Sequence, residues 1–300
     1  MAVAIALLSA ALAAAGCGLG PGEEVGTASL LVTRDYGREA VLPATAEEVS
    51  ESDTVMRLLD RNAEIETRYS GDFVEAIDGI AAGRDGGRAW DWLYYVNGVE
   101  ATVGAADYEL RGGEAVWWDY RDWSAALRVP AVVGSWPQPF RDGYEGERVA
   151  TALECFADRP TCLFVRGRLA SAGASLAGEP AGGGIRVLVG PWRRLRQDPA
   201  AAQLEKGPQA SGVFAELVDT PRGQVLIALD EGGEVARTFG ADAGLVAATR
   251  RAEGPPVWIV TGTSRAGLTA ASRLLTGATL RNRYAVAVEG RGETPLPVPR

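Results

Sequence analysis

The sequence predicts an α+β chain in which an N-terminal mixed sheet crossed by one helix is followed by a smaller α/β layer. Three observations predict it. Residues 90–96 and 115–120 are aromatic and β-branched and lie on either side of Asn97-Gly98, a pair suited to the positive φ angles of a type I′ hairpin turn. Ahead of them, Val55, Leu58 and Leu59 fall at helical spacing behind Ser52-Asp53, either of which can cap the free amides that follow. Beyond residue 185, strand, helix and strand recur twice.

In chain order, residues 28–33 form a short apolar strand and Asp35-Tyr36-Gly37 a turn into a second strand at 39–43. The helix from Ser52-Asp53 buries Val55, Leu58, Leu59 and Asn62. Residues 65–69, 73–80, 90–96, 100–103 and 115–120 read as strands, which makes 28–128 one module with a helix across one face of a mixed sheet. Six of the eight tryptophans lie between Trp90 and Trp136, so the recognition chemistry of this half is aromatic. On an alternating strand, one of Trp92 and Tyr95 faces inward.

Residues 129–184, with three prolines between 129 and 148 and a Gly/Ala/Ser-rich stretch from 170, read as a linker. It carries Cys155 and Cys162, which as a disulfide close a small loop worth about 2.5 kcal/mol in the chain-entropy model. The alternative, a metal site, lacks zinc spacing in a chain with no histidine. The α/β layer at 185–290 begins with a buried strand ending at Gly190-Pro191-Trp192 and a helix start at Asp198-Pro199. A hairpin follows at 224–230 and 235–239, then a strand at 257–262, a helix at 266–275 and a strand at 284–288. Gly262-Thr263-Ser264-Arg265-Ala266-Gly267 sits where a phosphate loop would sit but lacks its lysine; a tight turn or an anion site are the alternatives. The arginines of Trp192-Arg193-Arg194-Leu195-Arg196 either hold a carboxylate or form a solvated face.

Composition narrows the function. Residues 18–128 carry 22 acidic and 10 basic side chains, and the rest of the chain 17 and 20, so neither half has the basic surface that nucleic acid requires. The absence of histidine removes Ser-His-Asp and Cys-His catalysis and His-ligated zinc. Carboxylates such as Asp198, Glu205 or Asp230 remain for an enzyme, but no pair has a spacing that identifies a mechanism. Residues 2–15 are apolar apart from Ser9; as a helix they rise about 21 Å, short of a bilayer core of about 30 Å, and read as an export signal over 1–17. The small residues before Cys17 resemble the lipobox of bacterial lipoproteins, which implies lipidation of Cys17 and an extracytoplasmic, membrane-anchored protein; a cleaved secretory peptide is the alternative.

Four motifs occur in order: residues 53–59, residues 73–80, Trp90-Asp91-Trp92-Leu93-Tyr94-Tyr95-Val96-Asn97-Gly98, and Gly112-Gly113-Glu114-Ala115-Val116-Trp117-Trp118. Together they resemble the transcobalamin-like C-terminal domain, also called the domain of unknown function DUF4430, over about one third of the chain. The resemblance implies a β-grasp-like sheet with one helix, and it permits corrinoid binding with Trp90, Trp92, Tyr94, Tyr95 and the backbone of Asn97 and Gly98 as contacts. The helical partner domain of vertebrate cobalamin carriers has no counterpart in this sequence.

The reading is a non-enzymatic, monomeric envelope lipoprotein that binds a ligand, cobalamin or another corrinoid, for delivery to a membrane importer, with no resident cofactor, metal or nucleic acid. The alternative is an interaction protein docking a protein or wall polymer through its aromatic sheet. A corrinoid requires a concave aromatic pocket of several hundred Å³, and a docking face requires a flat one.

Overall fold

The computed structural model describes residues 22–178, 183–252 and 254–300; the predicted export signal and Cys17 lie outside the described residues. The N-terminal sheet places Glu39–Ser50, Glu24–Arg34, Ala115–Asp122, Arg88–Val96 and Gly83–Asp85 side by side, with Val99–Glu100 also on Arg88–Val96. Glu24–Arg34 and Ala115–Asp122 are parallel at its centre and every other pair is antiparallel. A hairpin, a helix and a second hairpin with the first and last strands adjacent is the grasp topology implied by the resemblance. Pro43 lies on the edge strand Glu39–Ser50, where its missing donor breaks no inner ladder.

Alternation divides the sheet into two faces. Ala28, Leu30, Val32, Trp92, Val96, Val116 and Trp118 pack against the helix Val55–Asp60 through Val55, Leu58 and Leu59. The cap is Thr54, whose side chain accepts from the Arg57 amide, and not Ser52 or Asp53. Asp53 instead accepts from the Ser50 amide and pairs with Arg61. Asn62 is only half-buried; its Nδ2 donates to the Leu58 carbonyl and closes the helix end. The strand expected over 73–80 divides into Phe73–Ile77 and Ile80–Ala81, because Asp78 and Gly79 both take positive φ. The one expected at 100–103 is the pair Val99–Glu100.

The second half is larger than expected. Its seven-stranded sheet runs Leu176–Ala177, Thr151–Cys155, Ile185–Val189, Pro256–Gly262, Ala243–Arg250, Ala285–Glu289, Gly292–Leu296, the first four parallel and the rest antiparallel. The 129–184 stretch is therefore not simply a linker: it supplies two of these strands and the helix Arg159–Ser171. Ala243–Arg250 is buried along its whole length, and its Ala/Gly-rich sequence hides a central strand because the helix Arg265–Arg273 packs directly on it. The hairpin Gly223–Leu229 with Val235–Thr238 and the helix Arg265–Arg273 stand close to where the sequence placed them.

Cys155 and Cys162 form a disulfide joining the end of Thr151–Cys155 to the first turn of Arg159–Ser171. The bond constrains a short loop of the unfolded chain. The double Cys→Ser variant is expected to lose about 2–3 kcal/mol of unfolding free energy by urea titration; an unchanged midpoint would contradict that role.

Candidate functional site

The six residues expected to contact a ligand do not converge. Trp90 is half-buried beneath the Arg88 guanidinium, 4.8 Å from its ring centroid. Trp92 is a core residue, 3% exposed, donating through Nε1 to the Ile80 carbonyl. Tyr94 packs on Trp118 at 4.9 Å and donates to the Val103 carbonyl. Asn97 and Gly98 form the turn, at φ 50° and 78°. Asn97 is wholly engaged in structure: Oδ1 accepts from the Ala115 amide and Nδ2 donates to the Gly143 carbonyl.

Tyr95 faces the opposite way and is also fully buried, because the second half of the chain covers that face. The sequence expectation that only one of Trp92 and Tyr95 is inward fails for this reason. The covering residue is Tyr284. Its ring makes edge contacts with Tyr36, Tyr95 and Trp117 at 5.1, 5.7 and 5.4 Å. Its hydroxyl donates to Asp119 at 2.8 Å and accepts from Tyr95 at 3.2 Å. The loop before it approaches so closely that a Cβ on Gly37 would lie 2.1 Å from the Asn282 carbonyl oxygen, and one on Gly134 would lie 2.8 Å from the Arg283 nitrogen. Larger side chains at either position would displace the plug.

Asp119 ends a buried relay in which Trp117 Nε1 donates to Thr33 Oγ1 and Thr33 Oγ1 donates to the carboxylate at 2.6 Å, with the Gly37 amide as a further donor. Burial pushes its pKa up to about 6, against the pull of the Thr33 and Tyr284 hydroxyls, the Gly37 amide and the Arg121 charge. Arg121 is held in the interior by the Ala126 and Leu127 carbonyls. At the rim, Glu231 of the second half takes both Arg38 and Arg88.

With both sheet faces occupied, the open part of this module is its edge. On the edge turned away from Ala115–Asp122, residues 91–94 of Arg88–Val96 have no strand partner between Gly83–Asp85 and Val99–Glu100, and a cavity of about 170 Å³ lies there. Trp92, Tyr94, Trp118 and Val74 line it, with Phe73 and Val103 exposed at 40% and 49%. One of its residues carries a buried polar atom without a hydrogen-bond partner among the described residues, Trp118 Nε1, whereas the Glu100 carboxylate lies on the Tyr95 side of the sheet beside Arg128. Burial raises the Glu100 pKa, partly offset by Arg128, and Glu100 also lines an adjoining depression of about 530 Å³. This edge was not legible in the sequence. The cavity matches the small apolar cavities of about 150 Å³ that hold one benzene, well below a site for a whole corrin ring.

The three carboxylates considered for catalysis have structural partners. Asp198 pairs with Arg186 and caps the Ala200 and Ala201 amides, Glu205 accepts from Trp192 Nε1 and pairs with Arg196, and Asp230 holds the Gly232 and Glu234 amides and Arg300.

Residues 52–122 match the model of a family described as a domain of unknown function (DUF4430). Among solved structures, a candidate metal-binding protein from Ruminococcus gnavus is 15% identical, aligning over 32% of this chain and 97% of its own with a TM-score of 0.25, a likeness that carries nothing about the ligand here. No curated protein matches the chain. Among the described residues, no group of three or more His, Cys, Asp or Glu side chains is arranged to hold a metal ion.

A carboxyl whose folded pKa lies above its unfolded value favours the folded state most when protonated, and that advantage disappears as pH rises through the folded value. Relative to Asp119→Asn, the wild type is expected to lose on the order of 2–3 kcal/mol of stability between pH 4 and pH 7, with Asp119 titrating near about 6. Urea titrations of both proteins across that range check it; a difference independent of pH would contradict the assignment.

Proposed function

Since this chain carries a DUF4430 domain over residues 52–122, we propose that it is a non-enzymatic cell-envelope lipoprotein that binds a ligand at the open edge of the grasp sheet, the leading ligand being cobalamin or another corrinoid destined for a membrane importer. The observation that carries a ligand role is an unpartnered buried indole N–H at an aromatic cavity. A buried indole N–H left without a partner costs about 1–3 kcal/mol. The oxygen of a primary amide satisfies it, accepting from Trp118 Nε1.

Corrinoids are bordered by amide arms, and the cavity admits a group of that size while Phe73 and Val103 give the remainder an apolar rim. In this mode the macrocycle lies across the edge and is not enclosed. Anchoring through Cys17 would hold the ligand near an importer, and a monomer suffices. Docking of a protein or wall polymer through the aromatic sheet receives less support, because Trp92, Tyr95, Trp117 and Trp118 are buried on its two faces.

Titration of residues 22–300 with cyanocobalamin, followed by tryptophan fluorescence and heat, tests the proposal. Saturable micromolar or tighter binding is expected, weakened roughly two- to tenfold by Trp118→Phe, the worth of one hydrogen bond. Tyr94→Ala should weaken it further. No heat at high micromolar concentration sinks the corrinoid, and binding indifferent to both variants sinks the site.

A further inference from the structure

We propose that the C-terminal half holds a second site, in the crevice at the carboxyl ends of its parallel strands, that takes a small organic anion with a flat apolar part. The topology opens this crevice. Thr151–Cys155 and Ile185–Val189 are adjacent and parallel. From the first, the chain passes to Arg159–Ser171, which buries Val165 and Leu169 on one face of the sheet. From the second, it passes to Trp192–Leu195, which buries Trp192 and Leu195 on the other face. Neighbouring strands whose connections part to opposite faces leave a cleft beyond their carboxyl ends, the place where open α/β sheets bind ligands.

Here the cleft is a cavity of about 520 Å³, within the usual range for a small-molecule site. Phe156, Pro191 and Leu268 give it apolar walls, and Phe156 is 40% exposed. Its lining carries two carboxylates, Asp158 and Asp219, and two guanidiniums, Arg193 and Arg265. Asp158 is matched by Arg265 and Asp219 by Arg196, while Arg193 has no ion-pair or hydrogen-bond partner among the described residues. The crevice thus offers one uncommitted guanidinium, a fork suited to a phosphate monoester or carboxylate. The helix Arg265–Arg273 begins at the same end of the crevice, and its first amides add to the attraction for an anion.

Arg193 is the residue that stands out in the run Trp192-Arg193-Arg194-Leu195-Arg196. Trp192 and Leu195 are core residues, Arg194 lies over the Phe156 ring with its guanidinium 4.6 Å from the centroid, and Arg196 is paired. Only Arg193 faces the crevice uncommitted.

The probe is phenyl phosphate, with phenol and inorganic phosphate as its neutral and purely anionic halves, followed by ligand-observed NMR on residues 22–300. Saturable low-millimolar or tighter binding of phenyl phosphate is expected, stronger than either half. Arg193→Gln, a surface change, should weaken it about tenfold, and Phe156→Leu should weaken it less. No saturation, equal binding of inorganic phosphate, or indifference to Arg193→Gln in a protein with unchanged circular dichroism would each overturn the proposal. The crevice shares no lining residue with the grasp-edge cavity, so this test and the corrinoid titration succeed or fail independently.

Discussion

Tyr284 is the contact on which the arrangement depends. An isolated grasp sheet with Tyr95, Trp117 and Tyr36 on its second face would expose a broad aromatic surface, and the acid and base of Asp119 and Arg121 would lie in water. The plug inserted between Gly37 and Gly134 buries all of them at once. It converts an apolar surface into core and supplies the hydroxyl that Asp119 requires. Removing water from such a cluster is costly unless its donors and acceptors find partners; the Trp117, Thr33, Tyr95 and Tyr284 groups link up around the carboxylate, while Arg121 Nε is left without a hydrogen-bond partner among the described residues.

Sealing that face has a functional consequence. The helix covers one side of the sheet and the second half covers the other, so recognition is confined to places where secondary structure ends. One is the gap along Arg88–Val96 between two short edge partners, and the other is the cleft beyond the parallel strands of the second half. Both combine an exposed aromatic, Phe73 or Phe156, with one polar group that the protein leaves uncommitted, Trp118 Nε1 or the Arg193 guanidinium. Rigid surroundings suit such sites, since groups fixed by packing need little reorganisation to meet a ligand.

Much of the first module could be read from the chain, because its signals are local. The Asn97-Gly98 turn, the alternation of residues 90–96 and the spacing of Val55, Leu58 and Leu59 each specify a backbone conformation by themselves. The site could not be read in the same way. Trp92, Tyr94 and Tyr95 were identifiable as strand aromatics, but their surroundings depend on Tyr284, 189 residues beyond Tyr95 in sequence. The central strand Ala243–Arg250 was hidden for a related reason: small residues that allow a helix to approach also resemble a loop. The disulfide was legible from spacing, whereas the strand and helix it joins were obscured by flanking proline and glycine.

If the plug makes the two halves one cooperative unit, their inner strands must open together. Native-state hydrogen exchange on residues 22–300 in a urea series measures this most directly, comparing the amides of Trp117 and Asp119 with those of Leu245 and Val286. The account predicts that all four exchange through a common global unfolding, with the same free energy and the same urea slope. An N-terminal strand that opens several kcal/mol more easily than Leu245 and Val286, with a smaller slope, would contradict it.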